Sequence, residues 1–310
     1  MSRIFDALQR SGTEQSGVEY PDMMSVATAV FETPREEAAP EQPAIEEPLP
    51  EIPLASEQMP GSEIPQVSPV EETGNRYPIF PCLEVSVTPS SRLVFFTQPE
   101  SLAAEKFRFL GVRLRQIRQN RSLKKVLVTS TIPEEGKSLV SVNLAGVLAR
   151  RKERVLLVEG DLRRPTVADQ LGLGRLAGLA EWLQGGLDAA SNIYHLEGPG
   201  FWIMPAGNPP ANTLELMQSG RLSRLMSQLT TLFDWIIIDS PPLLPLADTT
   251  VWSRLTDGTL LVVREGKTER KPLERGLDAI KKSDLLGIVL NACTEPEHDY
   301  YYPRYSPQTK

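Results

Sequence analysis

Beyond residue 84, short apolar runs alternate with longer stretches of helical period. The runs are KVLVTS (125–130), RVLLVEG (154–160), GFWIMPAG (200–207), DWIIIDS (234–240), GTLLVVR (258–264) and GIVLNA (287–292). Each is apolar at nearly every position rather than at alternate ones, the pattern of a strand covered on both faces. Between them lie SLVSVNLAGVLARR (138–151), SGRLSRLMSQLTTLF (219–233) and RKPLERGLDAIKKS (270–283), which carry helical spacing. ESLAAEKFRFLGVRLRQIR (100–118) predicts an amphipathic helix ahead of the first run. Such alternation predicts one α/β domain over 84–296, a mostly parallel sheet with helices on both faces.

The pattern fails before residue 84. Residues 11–83 include FETPREEAAPEQPAIEEPLPEIPLASEQMPGSEIPQ, where proline recurs, glutamate fills the gaps and neither period survives. So little apolar surface cannot offset ordering entropy, and a disordered linker is expected. Ahead of it, Ile4, Phe5 and Leu8 share one face of a short docking helix over 1–10, an element marginal by itself. Residues 297–310 form a flexible tail that gathers four of the seven tyrosines, Tyr300, Tyr301, Tyr302 and Tyr305.

Charge divides the chain in the same place. Residues 1–80 hold 15 Asp and Glu against 4 Lys and Arg, while the remainder carries a net of +4. A mildly basic body suits a phosphate ligand and is too weak an argument for nucleic acid. Two cysteines, Cys82 and Cys293, and two histidines offer neither a disulfide framework nor a histidine metal site. No apolar run approaches the roughly 18 residues that span a bilayer. A cytoplasmic protein is therefore expected, recruited to the inner face of the membrane through a partner.

Chemistry enters after the first run. Thr131-Ile-Pro133-Glu-Glu135-Gly136-Lys137-Ser138 occupies the frame of a phosphate-binding P-loop, with threonine in place of the first glycine, between a predicted strand and a predicted helix. Gly136 lets backbone N–H groups approach phosphates, Lys137 reaches the β and γ oxygens, and the Ser138 hydroxyl helps to hold Mg2+. Leu139 continues into the helix, whose positive end faces the same anion. Asp239 ends one apolar run, where it would orient the metal through water, and Glu159 and Asp161 end another. Ligands of parallel sheets bind at those carboxyl ends.

In combination, TIPEEGKS, VLLVEGDLRRPT, IIIDSPP, PAGNPPANTLELMQS, DGTLLVVR and the terminal tyrosines resemble the bacterial tyrosine kinases of capsule and exopolysaccharide synthesis, over roughly two-thirds of the chain. The resemblance implies ATP and Mg2+ as donor and cofactor, and tail tyrosines of a neighbouring subunit as acceptors. It implies a ring-like homo-oligomer, a tyrosine phosphatase that reverses the mark, and activation by a membrane-anchored co-polymerase that sets polysaccharide chain length. The chain resembles the separate, cytoplasmic type. Glu159 and Asp161 fall where the family usually has two aspartates, one on the metal and one accepting the phenol proton, with either order open. Asn291 falls where related folds contact the adenine edge.

Two departures matter. Glu159 is one methylene longer than aspartate. The family's Glu-x-x-Arg-x-x-Arg assembly motif is matched by Glu105 and Arg108, but Gly111 holds the third place and Arg113 follows two residues later. An i,i+3 helix pair explains Glu105 and Arg108 equally well. Asp248 and Asp257 are expected to cap or brace, and Arg163 and Arg164 either to be solvated or to touch phosphate or tail. Two rival readings remain: a catalytically inactive, nucleotide-dependent scaffold of the export machinery, and a partitioning or positioning ATPase. The second calls for a lysine early in the loop, where this chain has Thr131, Ile132 and Pro133.

Overall fold

The computed structural model describes residues 78, 80–85, 87–88, 91–186, 188–244 and 247–293. The predicted helix over 1–10, most of the expected linker and the tyrosine tail lie outside the described residues. In chain order the elements are β1 (Cys82–Glu84), α1 (Val94–Thr97), α2 (Leu102–Asn120), β2 (Lys125–Ser130), α3 (Lys137–Ala149), β3 (Val155–Glu159), α4 (Val167–Gln170), α5 (Leu179–Leu183), β4 (Tyr194–Glu197) and β5 (Phe201–Met204). There follow α6 (Thr213–Gln218), α7 (Arg221–Leu232), β6 (Trp235–Asp239), α8 (Asp248–Ser253), β7 (Gly258–Arg264), α9 (Arg270–Asp278) and β8 (Leu285–Asn291).

The eight strands form one sheet in the order β1-β4-β5-β3-β6-β2-β7-β8. All neighbours are parallel except β4 and β5. The central strands bury both faces, and their side chains divide by alternation. Val126, Val128, Val155, Leu157, Trp235 and Ile237 join the core beneath α2 and α3. Leu127, Leu156, Val158, Ile236 and Ile238 join the core beneath α5, α7 and α8. Each fully buried side chain of this kind contributes about 1.5–3 kcal/mol. This two-sided demand is why the strands read as unbroken apolar runs. The fold is P-loop NTPase-like.

Helix α2 starts where Ser101 accepts the Ala104 N–H, and it lies against α3 at Gly111. A side chain at 111 would press on Val147 Cγ1 at 3.1 Å. The folded body also reaches further toward the N-terminus than composition suggests. Cys82–Glu84 pair in parallel with His195–Glu197, and the Phe80 ring packs on Trp202 and Phe233 at 6.3 and 5.8 Å between centroids. A three-residue strand cannot display a period, so the linker expected to end at 83 conceals it.

Candidate active site

The P-loop joins the carboxyl end of β2 to α3. Gly136, immediately before α3, has φ +95°, which glycine adopts without a steric cost, and a side chain there would strike the Asn291 amide. Helix α3 begins at Lys137, so the unpaired N–H groups of its first turn and its positive end lie at the loop, as an anion requires.

Parallel pairing brings the acids to this point. Asp239 ends β6 opposite Val128 of β2 and Glu159 of β3. It is 1% exposed and accepts hydrogen bonds from the Ser138 hydroxyl at 2.7 Å and the Ser141 hydroxyl at 3.3 Å. Lys137 Nζ stands 3.1 Å from Asp161 Oδ2 and 3.8 Å from Asp239 Oδ2. Burial opposes the lysine charge, but Asp239 and Asp161 outweigh it and hold the pKa above the ordinary 10.5. Burial raises the Asp239 carboxyl above its usual range in spite of Lys137 and Ser138. The cluster offers an ammonium and helix N–H groups to phosphate, a hydroxyl and a carboxylate to a hard divalent cation, and a second carboxylate to a proton.

Glu159 and Asp161 are not equivalent. Glu159 Oε1 accepts the Thr166 and Val167 N–H groups, each at 2.6 Å, and Oε2 accepts that of Ala206 at 3.1 Å. Burial raises its pKa, against the pull of those three donors. The longer arm thus binds the 161–167 loop to the strand, while Asp161 faces Lys137. Gly160 separates the two: its N–H donates to the Asp239 carbonyl at 2.7 Å, and its carbonyl accepts the Trp252 indole N–H at 3.2 Å. Trp252, fully buried in α8, lies so close that a side chain at 160 would meet its ring at 2.8 Å.

The other predicted residues arrange themselves around this cluster. The Thr131 hydroxyl donates to Glu135, whose carboxylate is wholly buried. Pro133 is exposed on the loop, and Leu139 packs against the core beneath α3. The Asn291 amide donates to the Glu135 carbonyl at 2.9 Å. Arg163 and Arg164 are both exposed, and Arg163 also forms a forked pair with buried Asp248, at 2.6 and 3.2 Å. Asp257 accepts the Lys124 and Lys125 N–H groups at 2.8 Å and braces the start of β2. Sequence reasoning missed Ser141, Trp252, Arg264, Lys267 and Thr268. The last three meet the P-loop from about 130 positions away, and no local pattern marks them.

The chain is 33% identical over 216 residues to the tyrosine-protein kinase YwqD of Bacillus subtilis (strain 168), which covers 67% of this chain and 89% of that protein. The chain belongs to the bacterial tyrosine kinase family. It is also 30% identical over 180 residues to the tyrosine-protein kinase CpsD of Streptococcus agalactiae, covering 57% of this chain and 78% of that one. Two solved structures are similar at 27% identity. The chimerical protein CapA2B2 gives a TM-score of 0.63 over 70% of this chain and 96% of that one, and the kinase domain of Escherichia coli tyrosine kinase ETK gives 0.61 over 67% and 84%. Other relatives are longer: the chain spans 23% of the tyrosine-protein kinase ptk of Acinetobacter johnsonii. No family model matches.

In this family member, Glu105 and Arg108 form an i,i+3 ion pair on α2, and Arg108 also donates to the Pro99 carbonyl. Gly111 is buried against α3, so the third motif position is a packing position here. The outer face instead carries Phe109, half exposed, with the Arg113 guanidinium 5.1 Å from its ring centroid. Among the described residues, no helix is long and apolar enough to cross a membrane.

Proposed function

We propose that this chain is a protein-tyrosine autokinase that transfers the γ-phosphoryl group of ATP to Tyr300, Tyr301, Tyr302 and Tyr305 of a neighbouring subunit. In doing so it regulates capsule or exopolysaccharide polymerisation and export. The observation that carries the reading is the Lys137–Asp161 ion pair beside the Ser138–Asp239 hydrogen bond, at the mouth of a P-loop. Lys137 exchanges Asp161 for the β and γ oxygens of the nucleotide. Asp161, released, accepts the phenol proton of an incoming tyrosine, whose ordinary pKa near 10 leaves it protonated at neutral pH. The phenolate oxygen bonds to the γ-phosphorus as the bond to the bridging oxygen of ADP breaks.

The Ser138 hydroxyl and the Asp239 carboxylate fit Mg2+, a small cation that takes few protein oxygens; they would hold it, and it would supply charge neutralisation to the phosphates. Glu159, expected beside the metal or as the base, is assigned instead to holding the loop that carries Asp161. Asn291 contacts the adenine edge. Glu105 and Arg108, with exposed Arg113, line the contact between subunits. A membrane-anchored co-polymerase activates the chain at the cytoplasmic face of the membrane, and a tyrosine phosphatase resets it.

The test is phosphotyrosine formation in purified protein with ATP and Mg2+, beside Lys137→Met and a form truncated before Tyr300. Both variants are expected to be blank alone, and mixing them should restore phosphorylation of the full-length tail. ATP binding with no phosphotyrosine in the parent would favour the scaffold instead. No signal on mixing would exclude transfer between subunits.

A further inference from the structure

Two glutamates, Glu134 and Glu135, precede Gly136 in the P-loop, a placement that should repel a polyphosphate. We propose that the turn Arg264–Thr268, between β7 and α9, is a clamp that takes both carboxylates out of the anion's path and shapes the loop to receive it, with Thr268 and Lys267 as positioning residues. The proposal rests on the reading of this loop as a nucleotide site.

Each glutamate is handled in its own way. Glu135 is turned inward and wholly buried, where Oε2 accepts the Thr131 hydroxyl and the Ile132 N–H, each at 2.9 Å, and Oε1 accepts the Thr268 hydroxyl. Thr268 is itself locked, because its hydroxyl oxygen accepts the Arg264 N–H at 3.0 Å. Glu134 remains exposed, but Lys267 Nζ meets its Oε2 at 2.6 Å and holds its carboxyl below the ordinary 4.5. Arg264 donates to the Glu134 carbonyl at 3.3 Å, and Asn291 at the end of β8 donates to that of Glu135 at 2.9 Å. Glu134 also holds φ +64°, a left-handed conformation that glycine usually takes. Bonds from both its side chain and its carbonyl secure it there. The Glu134 and Glu135 carbonyls are thus bonded to the ends of β7 and β8, the Glu134 carboxylate is paired with Lys267 and the Glu135 carboxylate is buried, which keeps these acceptors from the anion.

The clamp is tested by the affinity of the full chain for a fluorescent ADP analogue with Mg2+. Lys267→Ala is expected to weaken binding about threefold to tenfold, and adding Glu134→Gln to it to restore most of the loss, since the charge that needed masking is gone. A merely structural lysine would show no such rescue. Thr268→Val is expected to weaken binding at least about tenfold, and Thr268→Ser to stay near the parent. Should Thr268→Val fail to fold, the Lys267 and Glu134 pair decides. Parent-like affinity in Lys267→Ala, or no rescue by Glu134→Gln, overturns the clamp alone. A parent that binds no nucleotide overturns the clamp together with the phosphate-loop reading.

Discussion

The Ser138 hydroxyl donates to the Asp239 carboxylate at 2.7 Å, joining the first turn of α3 to the end of β6 across 101 positions. Asp239 is wholly enclosed, and burial raises its pKa against the pull of Lys137 and Ser138, so a bound cation would offset the part of the burial cost that its present partners leave. Asp239→Asn is therefore expected to abolish both the rise in unfolding midpoint that Mg2+ with ADP gives the parent and the tightening of ADP binding by Mg2+. Melting curves and nucleotide titrations with and without Mg2+ check both halves. A variant that still binds more tightly with Mg2+ would remove Asp239 from the metal.

Asp161 competes with phosphate for the same ammonium. Asp161→Asn frees Lys137, so ADP affinity should be unchanged or higher, whereas tail phosphorylation should fall by about a hundredfold or more as the proton acceptor is lost. Binding and transfer must be measured separately, for a residue that merely supported the fold would lower both.

How far these roles could be read in advance depends on the distance over which each is encoded. The central strands were legible because burial on both faces leaves each one an apolar run: β2 and β7 fall where KVLVTS and GTLLVVR place them. The P-loop was legible because its frame is contiguous. The division of labour between Glu159 and Asp161 was not, because it depends on N–H groups at Thr166, Val167 and Ala206, which only the tertiary fold assembles. Short strands such as β1 and β4 carry too few residues to show a period. Gly111 read as a missing arginine, and in the structure it is a helix contact.

Gly160 provides a test of positioning by packing alone. A methyl group there meets the Trp252 ring at 2.8 Å, on a tryptophan that is fully buried and already bonded to the Gly160 carbonyl. Neither side can yield without moving the peptide that carries Asp161. Gly160→Ala should cost about 1–3 kcal/mol in urea unfolding, as overpacking does, and should reduce tail phosphorylation in the protein that remains folded. Adding Trp252→Phe, which removes the indole ring edge, should recover part of the activity. Unchanged stability in the single variant would contradict the contact.

Glu159 has a pKa raised above 4.5 by burial, so between 4.5 and the raised value the folded state binds more protons than the unfolded one. Stability contributed by this group is complete below about 4.5 and is lost as pH rises through the folded pKa. Glu159→Gln cannot ionise and retains an acceptor for the Thr166 and Val167 N–H groups, although its amide loses the bond to Ala206. The difference in stability between the parent and Glu159→Gln should therefore shift in favour of the glutamine variant as pH is raised from 4.5 to 8. Comparing the two proteins by urea unfolding at each pH cancels the titration of groups that do not interact with Glu159, which leaves Asp239 and Lys137 as its coupled partners. A difference that stays level across that range would mean that Glu159 keeps an ordinary pKa, and the anchoring contacts would then have to outweigh its burial.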